Sequence, residues 1–126
     1  MSGASVEYRR VDLAIEGDAK AVVDMLDGYA RDPFGASQPL PDDVRERLIP
    51  ALRAHPTTVP IVAFDGDQPI GVALCFRQFS SWAANEVLNL HDLFVEKAYR
   101  GRGVSRGLLD FVANEARRIG CVKVTL

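Results

Sequence analysis

In VEYRRVDL, residues 6–13, Val6, Tyr8 and Arg10 fall on one side and Glu7, Arg9 and Val11 on the other, a period of two that predicts an edge strand. From Asp18, a good N-cap residue type, apolar side chains return at Ala19, Val22, Val23, Leu26 and Ala30, the spacing of one helical face. RDPFGASQPLP breaks that period with Pro33, Gly35, Pro39 and Pro41, so a loop is expected there. A second helix should start at Pro41 and run through DDVRERLI, with acids in its first turn and Val44 and Leu48 inward. Pro50, which lacks an N–H, should kink it or end it near Ile49.

TVPIVAFDGDQPIGVALCFRQFSSW reads as a hairpin, two β-rich runs with Asp65 and Gly66 in the tight turn. EVLNLHDLFVE is the fourth strand. A helix is expected from Val104 to Ile119, because Leu108, Leu109, Val112 and Ala116 keep core spacing, and Gly120 ends it before a fifth strand in CVKVTL. One strand, two helices, three strands, a helix and a strand point to an α/β domain, a mixed twisted sheet with flanking helices. At 126 residues, the chain has room for one domain spanning 1–126.

Composition narrows the function classes. With 48% hydrophobic and 25% charged residues the chain is of the soluble globular type. A formal charge of -2 gives no excess of cations for general nucleic-acid or membrane-surface binding, so any anion site must be local. Cys75 and Cys121 show neither CxxC nor Cys/His ligand spacing, so no metal is expected and both read as buried free thiols. An acyl-enzyme on either cysteine has no nameable base partner. MSGASVEYRRVDL lacks the apolar core of a signal peptide, and no run approaches the roughly 18–20 apolar residues of a membrane span, which reads as cytoplasmic.

The distinctive stretch is YRGRGVSRGLL, Tyr99 to Leu109, where three arginines and three glycines lie between a strand and a helix. A loop entering a helix presents unpaired N–H groups beside the positive end of the helix dipole, which suits phosphate oxygens. Gly101, Gly103 and Gly107 permit close backbone approach, while Arg100, Arg102 and Arg106 add fork-like cationic donors. Three phosphate-binding patterns compete. The P-loop pattern GxxxxGK[ST] fails for want of its Lys and Ser/Thr. A Rossmann GxGxxG has Arg106 in its third glycine position and no acidic residue about 20 positions on. The third, RxxGxG/A after an apolar strand, reads as Arg100, Gly103 and Ser105.

LHDLFVEKAYRGRGVSRGLLDFVANEARRIGCVKVTL resembles the acetyl-CoA-binding segment of the GNAT N-acetyltransferase superfamily, and LHDLFV is similar to its diamine acetyltransferase-like branch. The resemblance is strong over Leu88–Leu126 and extends in element order back to Val6. It implies the acyl-CoA N-acyltransferase fold, here without the usual last two strands and the tyrosine they bring to protonate the leaving thiolate. It also implies acetyl-CoA as co-substrate, with the backbone of Leu93, Phe94 and Val95 pairing with the pantetheine arm where the fourth and fifth strands splay. Amides from Gly101 to Arg106, through Arg102, Gly103, Val104 and Ser105, would hold the pyrophosphate with Arg100, Ser105 standing where the family usually has Gly or Ala. A backbone N–H near Leu93 or Phe94 would polarise the thioester carbonyl for a primary amine.

That amine must shed a proton before it attacks, since an alkylammonium with a pKa near 10.4 has no free lone pair. His91 is the candidate base, directly or through water, and Asp92 is the candidate to hold an ammonium or orient the histidine. Successive strand residues face opposite ways, so both reach one site only if a bulge distorts the strand. By the same resemblance Tyr29, Phe34 and Trp82 line the acceptor pocket, and Asp32, Asp42 and Asp43 near its entrance hint at a cationic amine. The apolar edge of CVKVTL has two readings, a shortened version of a longer acetyltransferase or an edge supplied by a partner subunit, and the favoured expectation is a homodimer in which a second copy covers it. Two other readings stay open: a CoA-binding protein without turnover, and a nucleotide-binding module using the loop for NAD or ATP.

Overall fold

The computed structural model describes residues 5–126. Strands β1 (Val6–Arg10), β2 (Thr58–Asp65), β3 (Gln68–Ser80), β4 (Asn85–Val95) and β5 (Val124–Thr125) form one sheet in that order. The first three pairings are antiparallel and β4 with β5 is parallel. Helices α1 (Glu16–Arg31) and α2 (Asp42–Ala54) cover one face, where Val22, Met25, Leu26 and Leu52 pack with Val62, Val72, Leu74 and Phe94. Helix α3 (Val104–Arg118) covers the other, where Leu108, Val112 and Ala116 pack on Ile61, Ala73, Leu88 and Leu90. This is the mixed, two-faced α/β sheet expected from the pattern. No described helix is long and apolar enough to cross a membrane.

Edge strand β1 uses its alternation to dock both layers. On one face Arg9 donates to both Asp18 carboxylate oxygens in α1, at 3.1 and 3.2 Å. On the other, Arg10 donates to Glu115 of α3 at 3.0 Å, while Tyr8 lies so close to Gly107 that a Cβ there would stand 2.1 Å from the phenolic oxygen. Gly107 therefore serves helix-to-strand packing rather than the loop. The hairpin turn is where DG put it, with Gly66 at φ +61°.

Three elements depart from expectation. Asp18 does not cap α1: Ile15 holds that position, and the buried Asp18 carboxylate is taken up by Arg9 and the Asp12 N–H. Helix α2 runs through Pro50 to Ala54. A proline in a helix interior costs about 3 kcal/mol, but burial of Leu52 beyond it recovers about 1.5–3 kcal/mol, and the exposed site lets water reach the carbonyl freed at Glu46. The fifth strand is two residues long, although the Val122 N–H donates to Glu86 O and Lys123 O accepts from the Leu88 N–H, both at 2.9 Å.

The charged contacts fix an acid limit. Glu115 lies below the ordinary glutamate range, held there first by Arg118 and then by Arg10, and Asp18 lies below its own, held first by Arg9. A depressed carboxyl pKa stabilises the fold at every pH above its unfolded value and loses that contribution as pH falls through the folded value. Thermal unfolding by circular dichroism should thus be level from about pH 7 to 5 and decline below about pH 4. Glu115→Gln should unfold about 3–6 °C below the parent at pH 7, and the gap should close toward pH 3. A gap of equal size at both pH values would refute this origin.

Candidate active site

The site is built on the second half of β4. Parallel pairing with β5 covers only Leu88 and Asn89, so beyond Asn89 no described strand borders that edge of β4. The phase of the β3–β4 ladder decides which groups face the gap. The Glu96 N–H donates to Ile70 O at 2.8 Å, so Val95↔Gly71 is a non-hydrogen-bonded pair, and alternation makes Leu93↔Ala73 another. The main-chain groups of Leu93 and Val95 therefore point to the open edge, whereas those of Phe94 point to Val72 in β3. Of the three residues expected to pair with a pantetheine arm, Phe94 has its backbone turned into the sheet toward Val72, and its ring lies against Tyr29 at 5.8 Å between centroids. Gly28 lets the ring sit close to α1, since a Cβ there would lie 3.1 Å from Phe94 Cε2 and the ring would have to shift by a few tenths of an ångström.

A bulge sits next to this edge. Leu74 pairs with Asp92 and Cys75 with Leu90, which leaves His91 as the extra residue of β4. The extra residue breaks the in-and-out alternation, so that His91 and Asp92 both turn toward α1 and α2 and both line one cleft. His91 is exposed, its ring edge-on to Phe76 at 5.7 Å. Asp92 is half-buried, and burial pushes its carboxyl up, with His91 pulling in the opposite direction. Among the described residues no cation is paired with it.

Two clefts meet here. One, of about 300 Å³, is lined by Leu93, Phe94, Val95, Arg100, Ser105, Asp32, Tyr29 and Phe34. The other, of about 570 Å³, contains His91 and Asp92 and shares Tyr29 and Phe34 with the first. Trp82, expected in the acceptor pocket, lines neither: it is 99% exposed at the β3–β4 turn, beyond the end of the sheet. Of the acids expected near the entrance, Asp32 and Asp43 are paired with Arg100 and Arg47, and Asp42 is exposed and lines neither cleft.

The glycine and arginine loop enters α3 at the mouth of the smaller cleft. Gly101 and Gly103 have φ of +79° and +83°, a left-handed backbone that glycine adopts without strain, and a Cβ on either would meet nothing within 4 Å. Gly103 is the N-cap, and the first helical bond runs from the Gly107 N–H to Gly103 O at 2.9 Å, so the N–H groups of Val104, Ser105 and Arg106 precede it. The loop is clamped at its base. Tyr99 donates its hydroxyl to Asp65 at 2.6 Å, and Arg102 lies 5.2 Å over the Tyr99 ring. Arg100 donates from Nε to Val95 O at 2.9 Å and from Nη2 to Asp32 at 2.6 Å. The Arg100 guanidinium is thus engaged by protein, which leaves Arg102 and Arg106, both exposed, as the loop's available cations. Open amides, bare glycines and exposed guanidinium groups suit a diphosphate, and an open β edge suits an amide-bearing arm; the donor set fits coenzyme A.

Other chemistries find no frame. A dinucleotide site at a doubly wound sheet needs parallel strands, and among the described strands only β4 with β5 is parallel. Cys75 is pushed up to about 12 by burial, which removes it as a nucleophile. No metal-ligating cluster occurs among the described residues.

Comparison with known proteins agrees with this frame. Residues 22–126 match the family model of the acetyltransferase (GNAT) family. The chain is similar to the thialysine N-epsilon-acetyltransferase of Caenorhabditis elegans, 32% identical over 63 residues, 50% of this chain and 39% of that protein. It is also similar to a D-amino-acid N-acetyltransferase of Saccharomyces cerevisiae, 36% identical over 61 residues, 47% of this chain and 38% of that one. Both matches span less than two-fifths of the relative's length. In fold it superposes on the ribosomal-protein-alanine N-acetyltransferase from Brucella melitensis with a TM-score of 0.75 at 17% identity, covering 97% of this chain and 79% of the other.

Proposed function

Given that the chain belongs to the GNAT acetyltransferase family, we propose that it transfers acetyl from acetyl-CoA to a primary amine by direct attack, with both substrates bound at once. The observation that carries this reading is the β4 bulge, which turns His91 and Asp92 to one face immediately before the open amide of Leu93. Acetyl-CoA supplies an acetyl group already activated as a thioester. Leu93 and the Val95 N–H offer main-chain partners along the edge, Val95 O being held by Arg100, and the Leu93 N–H is the donor placed to polarise the thioester carbonyl. The N–H groups of Val104, Ser105 and Arg106, backed by Arg102 and Arg106, take the diphosphate, with Gly101 and Gly103 letting the backbone approach. Arg100 and Tyr99 position the loop.

On the other side of the edge Asp92 holds the incoming ammonium, a pairing that offsets the cost of its burial. Transfer makes an amide C–N bond and breaks the thioester C–S bond: one proton of the ammonium goes to His91 directly or through one water before attack, and the second, shed by the nitrogen after attack, goes to the departing sulfur, so that coenzyme A leaves as its free thiol. Positioning and stabilisation of the developing oxyanion carry most of the rate. Thiol release from acetyl-CoA with a panel of amines tests the reading. Acetyl-CoA that raises the unfolding temperature while no amine releases thiol would make the chain a CoA-binding protein instead.

Dimerisation and a cytoplasmic location belong to the same proposal. Val122, 53% exposed beside β5, is an apolar group a second copy would cover. Light scattering at micromolar concentration is expected to report a dimer, and a strictly monomeric species would count against it.

A further inference from the structure

The larger cleft carries a statement about the acceptor that the family does not. Apart from His91, Asp92 and Tyr29 the side chains that line it are apolar or small, from Leu40 in the α1–α2 loop, through Val44 and Leu48 on α2, to Leu74 and Phe76 on β3. Among the described residues that line it there is no lysine or arginine, so an amino-acid acceptor would leave its α-carboxylate without a partner in an apolar wall. A charge held against such a wall without a partner is disfavoured. There is also one carboxylate only, so the second ammonium of a diamine would meet leucine and valine. Of the acids outside, Asp32, Asp43, Asp24 and Asp27 are already paired with Arg100, Arg47 and Arg45, and Asp42, which has no such partner among the described residues, is exposed and does not line the cleft.

Resting on the proposed acetyltransfer, we infer that the acceptor is a monoamine with an apolar aliphatic or aromatic body and no carboxylate. The ammonium lies at Asp92, next to the thioester end of the smaller cleft, and the body extends between α2 and β3 toward Phe76. Phe76 is itself fixed edge-on between His55, at 5.4 Å, and His91, at 5.7 Å, which presents a rigid aromatic wall to the ligand. The volume of about 570 Å³ is that of a small-molecule site. Selection follows from both terms: the apolar body gains burial, and charged bodies are rejected because their second charge finds no partner.

The test compares phenethylamine and hexylamine with putrescine and phenylalanine, both as acceptors by thiol release and as ligands by calorimetric titration into the CoA-loaded protein. Phenethylamine and hexylamine should exceed putrescine and phenylalanine by at least about tenfold in kcat/KM and in affinity. Val44→Asp, at a half-buried α2 position in the acid-tolerant first turns of the helix, should erase that preference while leaving the KM for acetyl-CoA as it was. Equal or better use of putrescine or phenylalanine overturns the inference and leaves acetyltransfer standing. If no amine is acetylated but calorimetry still ranks phenethylamine first, acetyltransfer fails and the pocket assignment holds; if calorimetry detects no preference, the assignment fails as well.

Discussion

Gly103→Val is expected to abolish the stabilisation that acetyl-CoA confers. Gly103 caps α3 at φ +83°, a region in which a β-branched residue is a true outlier. Because a Cβ at this position would touch nothing, the protein itself offers no clash, and the damage comes from the backbone. Valine either holds the left-handed conformation at a cost of about 1–3 kcal/mol or rotates out of it. Rotation swings the amides around Gly103 away from the direction they share with Val104, Ser105 and Arg106. In either case the branched side chain occupies the open space where diphosphate oxygens belong. A ligand at 100 times its dissociation constant adds about 2.7 kcal/mol to stability, and differential scanning fluorimetry should find that increment in the parent and none in the variant. Gly120→Val supplies the control: its glycine has φ +85° and equally empty surroundings, but it follows the C-terminal end of α3, the opposite end of that helix from the loop. That variant should lose intrinsic stability and keep the acetyl-CoA increment. An increment of full size in Gly103→Val would remove the loop from cofactor binding.

What the sequence made legible is what depends on neighbours along the chain. The DG turn and the α3 helix were readable because a turn type and an apolar period are local, and α3 begins at Val104 as its spacing implies. The glycine and arginine loop was readable for the same reason. The bulge was recognised only as a requirement, since His91 is an extra residue only relative to Leu74 and Cys75 on another strand. Whether Leu93 or Phe94 offers its amide hinges on the Glu96 to Ile70 hydrogen bond, a fact of register that no local pattern holds. The engagement of Arg100 by Asp32 spans 68 positions and was invisible for that reason. Asp18 misled because a residue good at capping is equally good at receiving an arginine, and the arginine is on β1. Pro50 misled because the rule weighs the lost hydrogen bond and not the leucine buried one turn on.

The paired carboxylate and imidazole give the other large effect, and their variants should separate. His91→Ala leaves the smaller cleft and the loop untouched, so acetyl-CoA affinity should stay unchanged while kcat falls by about 10²-fold or more, the range for loss of a general base. Normal turnover of His91→Ala between about pH 6 and 8 would end its candidacy as base. Asp92→Asn acts on binding. It should raise the KM for the amine by tenfold or more, since removing one partner of a desolvated charge pair costs about 2–5 kcal/mol. Its effect on stability has the opposite sign. The Asp92 carboxyl is raised by burial, so between its unfolded and folded pKa the native state holds the proton more tightly, and stability declines as pH rises through that window. At neutral pH the ionised group therefore destabilises the fold, and the neutral amide lifts that burden: Asp92→Asn should unfold at a temperature equal to or above the parent's. Its advantage should shrink as acid protonates the parent's carboxyl. A variant that binds amine poorly, melts higher and still takes up acetyl-CoA has the signature of an ammonium-binding carboxylate, because a residue whose part is only to hold the strand together would lose stability and activity in step. Lower stability together with an unaltered KM would assign Asp92 to the framework of the bulge instead.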